Sequence, residues 1–163
     1  MMLELGSAIR ASPVLQEAFL GEGILELTDI VTAPYPGASV VPHKCRVTFD
    51  RRLLVGETEE SVLAPLKQCV QELKRRDPQF EARIEIAEAS QVCHTGAVMA
   101  GKRFFPAWVL AESHPLVAGA LAATRRAGLA PEVTKYSFCT NGSYSAGIAG
   151  IPTIGFGPGA EEG

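Results

Sequence analysis

The segment from Pro42 to Leu54 constrains the fold more than any other part of the chain. Its side chains separate onto two faces, with apolar residues at every second position and polar residues between them. A strand of this kind is buried on one face and hydrated on the other. The pattern therefore predicts an antiparallel sheet that helices cover on one side only. The apolar face holds Cys45, Val47 and Phe49, and the polar face holds Lys44, Arg46, Thr48, Asp50 and Arg52.

Regular elements are predicted on both sides of this strand. Gly23 to Ala33 alternates in the same way and is rich in β-branched residues, which favours a second strand. Thr58 is placed to cap a helix that ends before Pro78, with acidic residues in its first turn and basic residues in its last. The alternation resumes from Phe80 to Ala87 and predicts a third strand. The apolar stripe of the helix consists of Val62, Leu63, Leu66, Cys69, Val70 and Leu73.

The order of these elements indicates an α+β fold with a ferredoxin-like arrangement. Met1 to Leu20 has helix-like apolar spacing, interrupted by Pro13, so the order is helix, strand, strand, helix, strand. A βαββαβ unit that lacks its first strand has this order. The missing strand would be central in the sheet, so its neighbours would lack a partner.

The second part of the chain has an α/β character and predicts part of another domain. Ser90 to Phe105 reads as a loop, and Pro115 to about Ala127 as a helix that stops at Gly128. Strands are predicted at Glu132 to Phe138 and at Ile151 to Phe156. We place the domain boundary between residues 1–111 and 112–163.

Composition excludes several classes of function. The formal charge is −3, from 15 basic and 18 acidic residues, so no basic excess exists to neutralise a nucleic acid. With 47% hydrophobic residues the chain is too apolar for disorder, yet its longest uncharged helical run is too short to span a bilayer. No basic segment precedes an apolar core at the N-terminus, and the four cysteines are far apart. We therefore expect free thiols and a cytoplasmic location.

Two segments are candidates for binding. Arg51 and Arg52 lie near the end of the predicted strand from Pro42 to Leu54. One interpretation is a solvated pair of charges. In the other, Arg52 lies on the polar face and holds a substrate carboxylate with its planar guanidinium. Thr140 to Ser143 is typical of a helix start with Asn141 as N-cap. That loop either caps its own helix or presents backbone donors to an anion or a polarised carbonyl.

Other motifs predict no chemistry. Adjacent residues rarely reach one tetrahedral centre, so a zinc site is disfavoured for the set His43, Cys45, Cys93 and His94. The segment from Ser143 to Gly147 is close to a nucleophile elbow, but no histidine follows His114 to act as base. The segment from Gly155 to Gly159 matches neither phosphate-loop pattern and favours a tight turn.

Six segments together resemble one family, the two-zinc metallopeptidases and amidohydrolases. This family includes acetylornithine deacetylase, succinyl-diaminopimelate desuccinylase, aminoacylase and the glutamate-releasing carboxypeptidase, and the chain looks most like the hydrolases assigned to selenium metabolism. The resemblance covers nearly the whole chain. The matching segments are Phe19–Ile30, Ser39–Arg52, Gly56–Thr58, Phe105–Trp108, Phe138–Gly142 and Gly150–Gly159.

The resemblance implies a division of roles. Such enzymes carry a two-metal catalytic domain and an inserted ferredoxin-like lid that also forms the dimer. By position, Arg52 matches the lid arginine that binds the substrate carboxylate, while Asn141 and Gly142 match a loop beside the active site. Gly155 to Gly159 matches the turn before the last metal-ligand histidine.

The family's metal shell has no counterpart in this chain. Its H-x-D motif, bridging aspartate, glutamate pair and lid histidine would lie upstream of Met1, and its last histidine ligand would follow Gly163. We therefore expect no catalytic or metal-ligating residue here, and two zinc ions only in an intact parent that cleaves N-acyl amino acids or small peptides. A homodimer through the lid is expected, with no nucleic-acid or membrane partner. The alternative is a non-catalytic dimerisation or protein-interaction module.

Overall fold

The computed structural model describes residues 16–157 and has an α+β architecture of small antiparallel sheets and few helices. Each described sheet contains two strands, paired as β1–β2, β3–β4 and β5–β6. The predicted helix from Met1 lies outside the described residues except at its end, where a strand and a turn replace it. The elements are β1 (Gln16–Glu17), β2 (Gly21–Glu22), β3 (Ile24–Ala33), β4 (Lys44–Arg52), α1 (Glu59–Arg76), β5 (Glu88–Val92), β6 (Val98–Lys102), α2 (Pro115–Arg126) and α3 (Gly142–Ser145).

The first two predicted strands are confirmed as the hairpin β3–β4. The strands are antiparallel, with Ile24 opposite Arg52 at one end and Ala33 opposite Lys44 at the other. The register shifts between Leu27 and Asp29, which leaves Thr28 as a bulge. Its hydroxyl donates to the carbonyl of Thr48 at 3.2 Å. The bulge ends the simple alternation predicted along β3, because one extra residue reverses the facing of all that follow.

Helix α1 forms where the cap and the apolar stripe predict it. The Thr58 hydroxyl accepts from the backbone amide of Ser61 at 3.1 Å, and the Ser61 hydroxyl accepts from the amide of Thr58 at 2.9 Å. This reciprocal capping satisfies donors that the first helical turn would otherwise leave unpaired. The helix packs on the sheet through a core built on Leu73 and Phe80, against Leu25, Phe49, Leu66, Cys69 and Val70.

The predicted third strand, Phe80 to Ala87, is wrong as a hydrogen-bonded strand. Phe80 is buried, and Ile84 and Ile86 are half-buried, so the alternating pattern does orient side chains. However, within the described residues no backbone hydrogen bond joins 81–86 to another segment. In a βαββαβ sheet this strand pairs with the first strand. Alternation of apolar and polar residues is enough to bury one side of this segment. A hydrogen-bonded ladder also requires a second strand beside it.

The segment from Ser90 to Phe105, predicted as a loop, contains most of the hairpin β5–β6. Glu88 lies opposite Lys102, and Val92 lies opposite Val98. The turn closes through the amide of Cys93, which donates to the carbonyl of Ala97 at 2.8 Å, and Gly96 adopts a φ of +85° there. All residues of β5 and β6 are exposed. Because neither face is buried, the sequence shows no alternation of apolar and polar residues from which the hairpin could be predicted.

The carboxyl-terminal region confirms the helix and corrects the strands. Helix α2 ends at Arg126, and Gly128 follows with a φ of +81°. The strands predicted at Glu132 to Phe138 and at Ile151 to Phe156 are wrong, since neither segment forms a ladder with any described residue. Strands of a parallel sheet need neighbours on the sheet, and residues 16–157 provide none for them. The boundary after residue 111 stays a prediction.

No helix in the part of the chain from 16 to 157 is both long and apolar enough to cross a membrane.

Candidate functional site

The two arginines at the end of β4 point to different surroundings. The Arg51 guanidinium forms an ion pair with the carboxylate of Glu57, whose side chain is only 5% exposed. The other carboxylate oxygen of Glu57 accepts from the backbone amide of Leu54 at 2.8 Å. Gly56 makes this tight turn possible with a φ of +86°, which places Glu57 back against the strand end. Arg51 is therefore held in a structural contact.

Arg52 lies on the polar face and is accessible. Its side chain is 47% exposed, and its guanidinium is 3.3 Å from a carboxylate oxygen of Asp50, which is equally exposed. An ion pair in solvent contributes little free energy, and a guanidinium has five donors, so Arg52 retains the capacity to bind a second carboxylate. Arg51 and Arg52 therefore have different contacts, and the carboxylate-binding role of Arg52 stays a prediction.

The loop around α3 is built on a close approach between Trp108 and Gly142. The indole ring lies so near Gly142 that a methyl group added there would overlap it. The indole N–H donates to the carbonyl of Thr153 at 3.0 Å, which fixes the ring. The Ser145 and Thr153 hydroxyls are 2.8 Å apart and hydrogen-bonded. Trp108 thus joins the loop to the segment that follows it.

The backbone amides at the start of α3 are used within the loop. The amide of Gly142 donates to the Thr140 hydroxyl at 3.1 Å, and that of Ser143 donates to the Thr140 carbonyl at 3.0 Å. Asn141 has helical dihedral angles, and its side chain makes no capping hydrogen bond. Asn141 therefore occupies the predicted N-cap position, while the hydroxyl that accepts from the helix start, at the amide of Gly142, belongs to Thr140. The amides of Gly142 and Ser143 are therefore used within the loop, and the binding role predicted for this loop stays a prediction.

The three predicted binding residues do not line a common cavity. A cleft of about 3010 Å³ has Arg52, Ser143 and Thr153 among its lining residues. Asn141 and Gly142 are not part of its lining. Gly142 is buried beneath Trp108, and Asn141 is exposed. Arg52 alone of the three faces the cleft, and the roles of Asn141 and Gly142 stay predictions.

A second aromatic residue covers the turn near the end of the described chain. The ring of Tyr136 lies over Gly155, where a methyl group would overlap it, and stacks at a tilt on Phe138 with 5.2 Å between ring centroids. The turn predicted from Gly155 to Gly159 is described only as far as Gly157.

The described residues do not assemble a metal centre. Between residues 16 and 157 no three side chains of the His, Cys, Asp or Glu type are grouped so as to share an ion, and His43, Cys45, Cys93 and His94 are not brought together. The cysteines are free thiols, three of them half-buried and Cys139 exposed.

Two residues that organise this region lie in segments that carry the resemblance, but the sequence analysis gave neither of them a role. Glu57 stands in an ordinary polar turn, and its burial follows only from the folded contact with Arg51. Its position between Gly56 and the cap Thr58 was a usable signal, since a tight turn there returns the chain to the strand end. Trp108 gave a weaker signal as the single tryptophan of the chain.

Comparison with known proteins gives one kind of relative. The chain is 35% identical over 146 residues to the uncharacterized protein YgeY of Escherichia coli strain K12, and equally to that of Escherichia coli O157:H7. The alignment covers 89% of this chain but 35% of each relative, so the chain spans about a third of their length. No protein-family model matches the chain, and no solved structure matches it.

Proposed function

We propose that this chain is the lid and part of the catalytic domain of a two-zinc amidohydrolase, and that it is inactive by itself. The supporting observation is the geometry at the end of β4. Both arginines line the cleft, but Arg51 is paired with the buried Glu57, whereas among the described residues Arg52 has only the exposed Asp50 beside it. This is the arrangement expected of an arginine that holds a substrate carboxylate. The substrate class is N-acyl amino acids or small peptides.

The fold proposed for the amino-terminal part is the ferredoxin-like lid without its first strand. The β3–β4 hairpin, the helix α1 packed on one face, and the unpaired alternating segment after it all fit that arrangement. The relatives' greater length agrees with a larger parent in which other segments complete both parts.

Zinc would have to be held by residues other than those described. The side chains of residues 16–157 do not fit a two-metal centre, so no catalytic step is assigned to them. The parent's metal would supply the activated water, and Arg52 would orient the substrate through its carboxylate.

The test of inactivity uses the purified chain with added zinc. We expect no hydrolysis of N-acetyl amino acids and no stoichiometric zinc after dialysis. Chelator-sensitive hydrolysis, or about two zinc ions per chain (the two-metal stoichiometry), would contradict the proposal.

The role of Arg52 is tested in a full-length enzyme that contains this segment. Arg52→Ala should raise KM and lower kcat/KM by an amount equivalent to about 2–4 kcal/mol, as for a charged contact. Arg51→Ala is the control. It should lower the thermal midpoint and leave kcat/KM nearly unchanged. An unchanged kcat/KM in the Arg52 variant would remove it from the site.

The second candidate is a dimerisation or interaction module. Large apolar side chains are exposed on several surfaces, including Val92, Val98 and Met99 on β5–β6 and Phe156 near the end of the described chain. Of these, Val92 and Val98 lie opposite each other in the ladder, and neighbouring exposed apolar side chains contribute to interaction surfaces. We expect a homodimer or larger assembly by light scattering at tens of micromolar protein, roughly where weak interfaces populate. A stable 17 kDa monomer would contradict it.

A further inference from the structure

A single buried carboxylate holds the chain immediately after Arg52. Strand β4 ends at Arg52, which lies opposite Ile24 in the pair that ends the β3–β4 ladder. Shortly after it, the amide of Leu54 donates to the Oε2 atom of Glu57 at 2.8 Å, and the amide of Glu57 donates to the carbonyl of Leu54 at 3.2 Å. Leu54 and Glu57 are both buried. Because hydrogen bonds at the ends of elements open most readily, these two bonds keep the end of β4 ordered.

The two carboxylate oxygens of Glu57 have different partners. Oε1 pairs with the Nη2 atom of Arg51, and Oε2 accepts from the Leu54 amide. A guanidinium that bound the carboxylate as a bidentate fork would occupy both oxygens. The Nε atom of Arg51 is instead buried without a hydrogen-bond partner among the described residues. Arg51 therefore uses one oxygen, and the other is available to the backbone that follows Arg52.

The side chain of Arg52 receives little support from its own contacts. Its ion pair with Asp50 spans 3.3 Å between two half-exposed side chains, and a pair of this kind contributes little free energy. The direction in which the guanidinium points therefore depends on the backbone of Arg52. The ladder fixes this backbone on one side, and the hydrogen bond from Leu54 to Glu57 fixes it on the other.

Glu57 is itself anchored by the start of α1. The next residue, Thr58, caps this helix through its reciprocal hydrogen bonds with Ser61. The helix in turn packs on the sheet around Leu73. Because α1 as well as Arg51 fixes the position of Glu57, a mutation that removes the ion pair with Arg51 leaves the contact with the Leu54 amide in place.

We propose that Glu57 is a positioning residue for Arg52. Through the Leu54 amide it fixes the backbone at the end of β4, and thereby the direction in which the guanidinium meets the carboxylate of an N-acyl amino acid. This inference rests on the carboxylate-binding role proposed for Arg52 above. Support of this kind matters because a misplacement of about 1 Å in a binding group is enough to slow a reaction strongly. The ion pair with Arg51 has a separate effect, since it stabilises the fold.

Two double variants isolate the contact with the Leu54 amide. Both contain Arg51→Ala, so the ion pair is absent from each. In that background Glu57→Gln retains a carbonyl oxygen that accepts from the Leu54 amide, whereas Glu57→Ala retains no acceptor. Circular dichroism establishes that each variant is folded. The single variants Glu57→Gln and Glu57→Ala give the same comparison with Arg51 in place.

The first measurement is hydrogen exchange in the purified chain. The amide of Leu54 should exchange about tenfold faster in the double variant with Glu57→Ala than in the one with Glu57→Gln, which corresponds to the loss of one hydrogen bond. The amides of α1 beyond its first turn should exchange alike in the two variants.

The second measurement is substrate preference in the full-length enzyme used to test Arg52. N-acetylglycine and N-acetylglycinamide carry the same acetyl group, but only the first carries a carboxylate. We expect the double variant with Glu57→Ala to lose about fivefold of the wild-type preference for N-acetylglycine, through KM rather than kcat, and the one with Glu57→Gln to retain it. A general loss of structure would slow the hydrolysis of both substrates alike and leave their ratio unchanged.

Three outcomes would overturn the inference: Leu54 exchanges alike in the two double variants, the one with Glu57→Ala keeps the wild-type preference, or the one with Glu57→Gln loses it to the same extent. Arg52→Ala separates this inference from the proposed function. If Arg52→Ala abolishes the preference while the double variant with Glu57→Ala keeps it, only the positioning role fails. If Arg52→Ala leaves the preference unchanged, the role proposed for Arg52 fails, and this inference fails with it.

Discussion

Residues 24–80 form the strands that their sequence predicts, whereas residues 104–157 do not, although both regions carry strand patterns. In the first region a hairpin and a capped helix pack on one another around Leu73 and Phe80. In the second, the predicted strands form no ladder, and aromatic rings lying over Gly142 and Gly155 order the loops. The first region pairs segments that are close in sequence. Within residues 16–157, hairpins form between segments that are close in sequence, whereas the segments predicted as strands at 80–87, 132–138 and 151–156 form no ladder.

The largest expected effect is in the core of the first region. Leu73 is 5% exposed, so Leu73→Ala should cost about 3 kcal/mol of unfolding free energy through lost burial and a residual cavity. Hydrogen exchange should accelerate in β4 and α1 and stay unchanged in α2 if the two regions are independent. The control is Leu129→Ala, at a 59% exposed position, which should change stability by less than about 0.5 kcal/mol. Equal acceleration in α2 would show that the regions unfold as one unit.

The next largest loss of stability is expected at the end of β4, where Glu57 pairs with Arg51 but not with Arg52. Glu57→Ala removes the partner of Arg51 and the acceptor of the Leu54 amide, and should cost about 2 kcal/mol, with partial exposure of Arg51 limiting the loss. Glu85→Ala is the matched control, because its pair with Arg83 is exposed and should be worth less than about 1 kcal/mol. Urea unfolding measures both. Similar losses in the two variants would show that the Glu57 pair is no stronger than a surface pair.

The third prediction tests whether a glycine contact organises the second region. Gly142→Ala forces a methyl group against Trp108 and should destabilise the loop by roughly 1–2 kcal/mol, with a red shift in tryptophan emission. Gly119→Ala makes the same chemical change in α2, where nothing lies nearby, and should stabilise the helix by up to about 1 kcal/mol. An unchanged emission maximum in the Gly142 variant would contradict the packing described.

The smallest expected effect is on local amide exchange in the β5–β6 hairpin, which contacts α1 through Lys102 and Glu59. A hydrogen bond from Lys102 to Glu59, 2.6 Å long, raises the pKa of Lys102 above its ordinary value of 10.5. The charged form is favoured in the folded chain, so the contact persists through neutral pH and is lost only as the pH rises through the raised pKa. Lys102→Gln should speed amide exchange in the hairpin at pH 7 without shifting global unfolding. A normal hairpin in that variant would show that the contact does not order it.

The sequence predicts an element correctly when the residues that stabilise it are near one another in the chain. The stripe from Val62 to Leu73, the cap at Thr58 and the alternation around Val47 each needed only nearby residues, and each is confirmed. Phe80 to Ala87 had an equally good pattern but lacked a neighbouring strand. The β5–β6 hairpin forms without an apolar face and therefore left no periodic signal. At the candidate site, the opposite facing of Arg51 and Arg52 was predictable from strand geometry, whereas the burial of Glu57 was not.

The bulge at Thr28 makes the two outer edges of the β3–β4 hairpin unequal. A bulge twists a strand and interrupts the even spacing of its peptide groups, so a flat partner cannot bind along the whole of β3. Strand β4 carries no such interruption over its nine residues. Natural sheets use bulges, among other features, to protect edges that must stay solitary. In this hairpin a single extra residue protects the β3 edge against the addition of another chain, and β4 has no comparable bulge.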